Sequence, residues 1–168
     1  MKMRFIENHD NPRAAGVVAS RRSLLNWTVF YSLLPGATLV YAGQEAVLSH
    51  CPDLFDKDTV RWDEGDPEFR PFMQKVLGLS KEIKRSCTRF AVSEMREGVA
   101  KMVWRGSGVS YAAIVNLSGK DGEVCLDECE AAELRHGQVC LGETLIGCLD
   151  RESGQGERRR WRLRPEDM

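Results

Sequence analysis

Three polar residues, Asn8-His9-Asp10, close a short run that reads Arg4-Phe5-Ile6-Glu7. An amide, an imidazole and a carboxylate at the end of an apolar strand are the groups a protein uses to converge on a polar ligand. The bland reading of the same triplet is a strand-to-loop transition, with Asp10 making an Asx turn and His9 half exposed. Glu7 reads as the ion-pair partner of Arg4 or Arg13 rather than as a catalytic acid. The triplet stands so near the start of the chain that the rest of any such site is expected to lie outside this polypeptide.

The elements that must position these groups alternate in type. Met3 to Asn8 is expected to be a buried strand. Ser20 can cap a helix whose apolar positions Leu24, Trp27, Tyr31 and Leu34 follow helical spacing, and Pro35-Gly36 stops it. A second apolar run, Thr38-Leu39-Val40-Tyr41, then predicts a parallel strand pair buried on both faces. The stretch from Gln44 to Gly65 is a long polar loop, a kind that usually faces a ligand. Asp66-Pro67 has the chemistry of a helix start, and Phe69, Phe72, Val76, Leu79 and Ile83 mark one face of a helix over 67–85. Beyond Ser86 the period changes. Runs at 90–95, 99–104, 110–117, 123–126 and 160–164 are punctuated by glycines, as antiparallel hairpins are. The expectation is α/β followed by all-β, divided as 1–86 and 87–168.

Composition narrows the function classes. Among 168 residues, a formal net charge of −1 offers no general attraction to nucleic acid or an anionic membrane. No apolar run approaches the roughly 20 residues of a membrane helix. The six cysteines lack zinc-type spacing and read mostly as buried thiols, which favours a reducing cytoplasm. The group Cys125, Cys129, His136, Cys140 and Cys148 is too irregular for a metal site, and no metal or cofactor is expected. Arg158 to Arg164 alternates with Trp161 and Leu163, so it reads as the solvated face of a last strand. Trp62 and Trp104 suit sugar stacking in principle, but core packing is the preferred reading for both.

Phe5-Ile6-Glu7-Asn8-His9-Asp10 resembles the fourth conserved sequence region of the α-amylase family of glycoside hydrolases (glycoside hydrolase family 13). Further segments agree in order. Pro35-Gly36 and Leu39-Val40-Tyr41-Ala42-Gly43-Gln44-Glu45 resemble the family's eighth barrel strand, and Val60-Arg61-Trp62-Asp63 resembles the loop that follows it. Ala113-Ile114-Val115-Asn116-Leu117-Ser118 resembles a characteristic strand of the C-terminal β-domain. The resemblance implies the last two β/α units of a TIM-type (β/α)8 barrel plus an antiparallel β-sandwich. It also implies that Asp10 holds hydroxyls of the sugar at the cleavage point and favours an oxocarbenium-like transition state, with His9 bonding the same sugar. Asn8 would support the strand end, and Gln44 and Glu45 would line the same mouth.

The family's retaining mechanism needs a nucleophilic aspartate and an acid/base glutamate about 5–5.5 Å apart. In the family both lie upstream of the Asn-His-Asp motif, so they are expected to be missing here. The implied function is that of a fragment of an enzyme acting on α-linked glucosides, inactive alone, with self-association or a companion N-terminal chain to cover its strand edges. The alternative is a non-catalytic carbohydrate-binding or interaction module, and a metal or redox module built on the cysteines is a third reading.

Overall fold

The computed structural model describes residues 2–120 and the backbones of strands at 122–125, 136–141, 144–150 and 160–163. The chain divides into two compact units, Met1–Ser80 and Lys81–Met168.

In the first unit, strand β1 (Met3–Arg4) pairs in parallel with β2 (Ala37–Thr38), Met3 opposite Ala37 and Arg4 opposite Thr38. The crossover is helical: a single turn, α1 (Ala14–Val17), then α2 (Arg21–Leu33). Ser20 caps α2 as expected, its backbone extended and its hydroxyl accepting from the Ser23 amide at 3.1 Å. The helix ends at Leu33 because Leu34, next to Pro35, is forced into extended backbone with ψ 149°. Burial on α2 is wider than its apolar stripe: Ser23, Asn26, Thr28 and Ser32 are buried as well, while Trp27 and Leu34 are only partly covered. Thr28 stays satisfied by donating to the Leu24 carbonyl at 2.7 Å, and the Ser32 carbonyl accepts from Ser80.

The strand pair corrects one expectation. Each strand is two residues long and neither is buried on both faces: Met3 is 58% and Phe5 40% exposed, and residues 37–41 are only partly buried. Among the described residues no further strand pairs with either member, so nothing continues the ladder. The connection into β2 is tight. Gly36 has φ +114°, and a Cβ there would run into the Lys2 carbonyl, the same oxygen that accepts from the Ala37 amide at 3.0 Å.

Helix α3 (Phe69–Ser86) begins two residues later than Asp66-Pro67 suggested. Asp66 instead caps the turn ahead of it, accepting from the Glu68 amide at 2.9 Å while its other oxygen takes the Arg21 guanidinium at 2.7 Å. That Arg21 bond is the main reason the Asp66 carboxyl is held below its ordinary pKa. Phe69, Met73, Val76, Ser80 and Ile83 are the buried positions of α3. Phe69 and Met73 join Ala14, Leu24 and Leu25 in one cluster, with Ile6, Val40 and Val47 packed against it. Complete burial of a side chain such as Phe69 is worth about 1.5–3 kcal/mol.

The long loop between β2 and α3 is built of short local ties rather than regular elements. Two 3-10 turns, Gln44–Ala46 and Trp62–Glu64, bracket it. His50 Nε2 lies 2.7 Å from Asp58 Oδ2, and the same oxygen accepts from the Asp53 amide at 3.1 Å. Asp53 in turn accepts from the Phe55 and Asp56 amides. Cys51 in this loop is exposed, unlike the buried Cys87, so the buried-thiol reading holds for only one of the two described cysteines.

In the second unit, β3 (Cys87–Arg96), β4 (Val99–Gly106) and β5 (Val109–Asn116) form a meander. It is extended by β8 (Thr144–Asp150) and β7 (His136–Leu141) into an antiparallel sheet ordered β3-β4-β5-β8-β7. A separate two-stranded sheet pairs β6 (Gly122–Cys125) with β9 (Arg160–Leu163). The strands β7 and β8 went unread in the sequence. Residues 111–116 of β5 are buried in an unbroken run, as a central strand requires, whereas the edge strand β3 is mostly exposed. Phe90 and Trp104 face each other across β3 and β4 with ring centroids 4.9 Å apart. Buried Asn116 fixes the loop after β5: its amide donates to the Lys120 carbonyl at 2.8 Å, and its oxygen accepts from the Ser118 amide and hydroxyl. Cys129 and Arg158-Arg159 lie outside the described residues, as do the side chains of Cys125, His136, Cys140, Cys148 and Trp161.

Two stability tests follow from the first unit. Gly36→Ala combines a left-handed backbone with a methyl aimed at a paired carbonyl, and should cost about 1–3 kcal/mol in denaturant unfolding; an unchanged midpoint would refute the tight crossing at Lys2. The Asp58 carboxyl is held below its usual range, first by the Asp53 amide and then by His50. A depressed carboxylate adds stability above its unfolded pKa of about 3.9 and loses it as pH falls through the folded value. Wild-type and Asp58→Asn melting curves should therefore converge as pH drops below about 4, and curves that stay parallel would contradict the clasp.

Candidate functional site

The turn that follows β1 presents the polar triplet. Asn8 Oδ1 accepts from the Asp10 amide at 3.0 Å and from the Asn11 side chain at 2.6 Å, and the Asn11 amide closes back on the Asn8 carbonyl. Asn8, not Asp10, therefore makes the Asx turn, and it does so with the only side chain of the three that is turned inward to the local backbone. His9 and Asp10 are left in solvent, their side chains 61% and 69% exposed, with His9 Nε2 3.3 Å from Asp10 Oδ2. An imidazole and a carboxylate side by side and free to reach outward can together bond vicinal hydroxyls, one group donating and the other accepting.

Beneath this exposed pair lies a buried one. Glu7 and Arg13 are 1% and 2% exposed, and Arg13 Nη1 donates to Glu7 Oε1 at 2.7 Å. Glu7 Oε2 accepts from the Ala14 amide at 2.8 Å, which ties the strand end to the first turn of α1. Arg13 Nε donates to the His50 carbonyl at 2.9 Å, and its guanidinium carbon lies 4.3 Å from the centroid of the Tyr41 ring. Of the two partners considered for Glu7, Arg13 is the one used; Arg4 donates instead to the Pro35 carbonyl at 3.0 Å.

Gln44 requires a correction. It was expected to line the mouth of the site, but it is 3% exposed and both ends of its amide are engaged inside. Its nitrogen donates to the Tyr31 hydroxyl at 2.9 Å and its oxygen accepts from the Tyr41 amide at 3.2 Å. Burial is the main cause that raises the Tyr31 hydroxyl above its ordinary pKa, with the Gln44 bond opposing it. Glu45 is partly exposed; Oε2 accepts from the Gly43 amide at 3.0 Å and Oε1 lies 3.7 Å from Arg70 Nη2. The Arg70 guanidinium sits 5.9 Å from the Trp62 ring centroid. Trp62 is 50% exposed, against the core-packing expectation, whereas Trp104 is buried as expected. His50 and Asp58 were not singled out in the sequence. Only the general signal of a long polar loop pointed to them.

Among the described residues, no group of three or more His, Cys, Asp or Glu side chains is arranged to hold a metal ion, and no helix is long and apolar enough to cross a membrane.

No protein-family profile matches the sequence, and no curated protein matches it significantly. Solved structures do match. An α-amylase from Lactobacillus plantarum superposes with a TM-score of 0.72 at 24% identity, over 88% of this chain and 37% of that one. A noncanonic maltogenic α-amylase from Thermotoga neapolitana gives 0.67 at 23% identity, over 90% of this chain and 40% of that one. An α-amylase from Geobacillus thermoleovorans, complexed with acarbose, gives 0.61 at 17% identity, over 98% and 39%. The chain thus spans about two-fifths of the length of these structures. Over most of its residues it has the fold of an α-amylase family protein, as a C-terminal piece of one would.

Proposed function

We propose that this chain is the C-terminal portion of an α-amylase-type glycoside hydrolase or transglycosylase, and that it contributes the sugar-holding part of the active site without the bond-breaking part. In this reading β1, α2, β2 and α3 are the last two β/α units of a (β/α)8 barrel, and the antiparallel sheets form the C-terminal β-sandwich. The observation that carries it is the exposed His9–Asp10 pair in the turn that follows a parallel strand, in a fold shared with α-amylases. Sites in such barrels lie at the C-terminal strand ends.

Asp10 then accepts from hydroxyls of the glucose at the cleavage point, and His9 bonds the same ring from the side. The Asp10 bonds strengthen as the ring flattens toward an oxocarbenium ion, because the carboxylate faces growing positive charge. Asn8 holds the turn. Glu45, on the rim of the next strand's end, is the further candidate contact. The nucleophile and the acid/base come from outside this chain. The substrate class is an α-linked glucoside, and acarbose, bound in the Geobacillus structure, is the natural probe.

Calorimetric titration of the chain with acarbose should give a measurable affinity that Asp10→Asn weakens by roughly tenfold or more, the scale of one hydrogen bond to a charged group, with no release of glucose from maltooligosaccharides. No heat at millimolar acarbose would sink the sugar-binding role, and turnover by the chain alone would sink the division of labour. The exposed two-stranded pair generates a second test. Two short parallel strands with bare edges and a half-exposed Met3 and Phe5 call for covering. Light scattering should report a mass that rises above that of one chain with concentration, or that rises on adding a polypeptide carrying the missing strands; a strict monomer under both conditions would count against the barrel reading.

A further inference from the structure

We infer that Arg13 is a positioning residue for the His9–Asp10 pair, locking the turn that carries them to the loop that follows β2. The inference rests on the carbohydrate-binding reading of that pair and adds the device that holds it. The turn itself supplies little rigidity. Its ties are the Asn8 bonds to the Asp10 amide and the Asn11 side chain and the long bond from the Asn11 amide to the Asn8 carbonyl, all near the surface. Both ends of the turn, however, are anchored by one buried unit. Glu7 enters it and Arg13 leaves it, and the 2.7 Å bond between them closes the loop like a clasp. The second Glu7 oxygen holds the Ala14 amide, so the returning chain cannot drift.

Arg13 also reaches outward from the turn. Its Nε holds the His50 carbonyl, its face lies on Tyr41, and its Nη2 lies 3.3 Å from where a Cβ of Gly43 would stand. Gly43 has φ +93° and sits at the entry to the Gln44–Ala46 turn. One planar side chain therefore sets the spacing between the His9–Asp10 turn and the next loop. Stability alone is a poor reason for this arrangement. Nη2 is buried with no hydrogen-bond partner, and a buried ion pair is commonly no better than a well-packed apolar pair of the same size. Lysine cannot substitute, since a compact ammonium cannot serve Glu7, the His50 carbonyl and the Tyr41 face at once.

The test is Arg13→Lys in the full chain, read by amide hydrogen exchange and by acarbose titration, with Asp10→Asn and the double variant alongside. Positioning predicts exchange at Asp10, Asn11 and Ala14 accelerated at least tenfold, and acarbose affinity lowered about as much as by Asp10→Asn. In the double variant the loss should be smaller than the sum of the two single losses, because Arg13 acts through Asp10 as well as through His9. A lower melting temperature with unchanged exchange at residues 8–11 would overturn the inference, as would affinity losses that add in the double variant. If wild type binds no acarbose while Arg13→Lys still loosens the turn, the sugar reading fails and the clasp stands. Should Arg13→Lys not fold, Glu7→Gln, which keeps the shape and removes the charge, must give the same exchange pattern or the inference falls.

Discussion

The first unit depends on a single buried ion pair. Glu7 and Arg13 are among the largest fully buried side chains in the described chain, and burying two charges costs several kcal/mol per ion before any contact is made. The structure recovers this by saturating the carboxylate. Both Glu7 oxygens accept, one from the guanidinium and one from a backbone amide, which is the geometry in which a buried charge pair is tolerated. The consequence is directional: a strand end, a helix start and a distant loop carbonyl are fixed by one planar group. Losing either partner would leave the other charged and unpaired inside the fold, so the two positions cannot vary independently.

The contrast between Glu7 and Asp10 explains how one short segment serves both stability and chemistry. Glu7 lies three residues beyond β1 and is turned into the interior. Three residues later the Asx turn at Asn8 has reversed the direction of the chain, and Asp10 faces water with His9 beside it. A carboxylate that must hold sugar hydroxyls has to be desolvated by the ligand, not by the protein, or its binding energy would be spent on folding. In the proposed role, the exposure of His9 and Asp10 beside the buried Glu7–Arg13 pair meets that requirement. The turn can be short because the anchor does not need to be in the site.

What the sequence revealed, and what it hid, follows from the range of the forces involved. Helices α2 and α3 were legible because their signals are local: Ser20 before an apolar period, Pro35 after it, and a clear apolar face from Phe69 to Ile83. The hairpins of β3, β4 and β5 were legible for the same reason, with alternation between glycine turns. The bounds of β1 and β2 were not, since an apolar run states what a strand is made of, and pairing states how long it is. Strands β7 and β8 were missed because Gly137 and Gly147 interrupt their apolar residues. Asp66 has the composition of a helix cap, but Arg21, far away in sequence, engages its second oxygen, and the helix starts beyond the turn. The surroundings of Gln44 were hidden for a deeper reason. An amide at a strand end looks the same in sequence whether it meets a sugar or a tyrosine hydroxyl, and only the position of Tyr31 on α2 decides. The triplet Asn8-His9-Asp10 was readable as a cluster, while the sequence left Glu7 two candidate arginines and the structure pairs it with Arg13.

The two exposed groups and the buried clasp also bear on why a site can be divided between polypeptide segments at all. Parallel strands lend their ends to a shared cavity, but each βα unit can keep its own side chains in place only if the anchoring contacts lie within it. Here every partner of Glu7 and Arg13 comes from residues 7–50, inside the first compact unit. Contacts that local tie residues on both sides of the His9–Asp10 turn within one unit. A carboxylate pair set by the geometry of distant strands would lose its 5–5.5 Å spacing when those strands part; a hydroxyl-holding pair fixed from below does not. On the proposed reading, holding hydroxyls is the portion of such a site that a separate segment can retain.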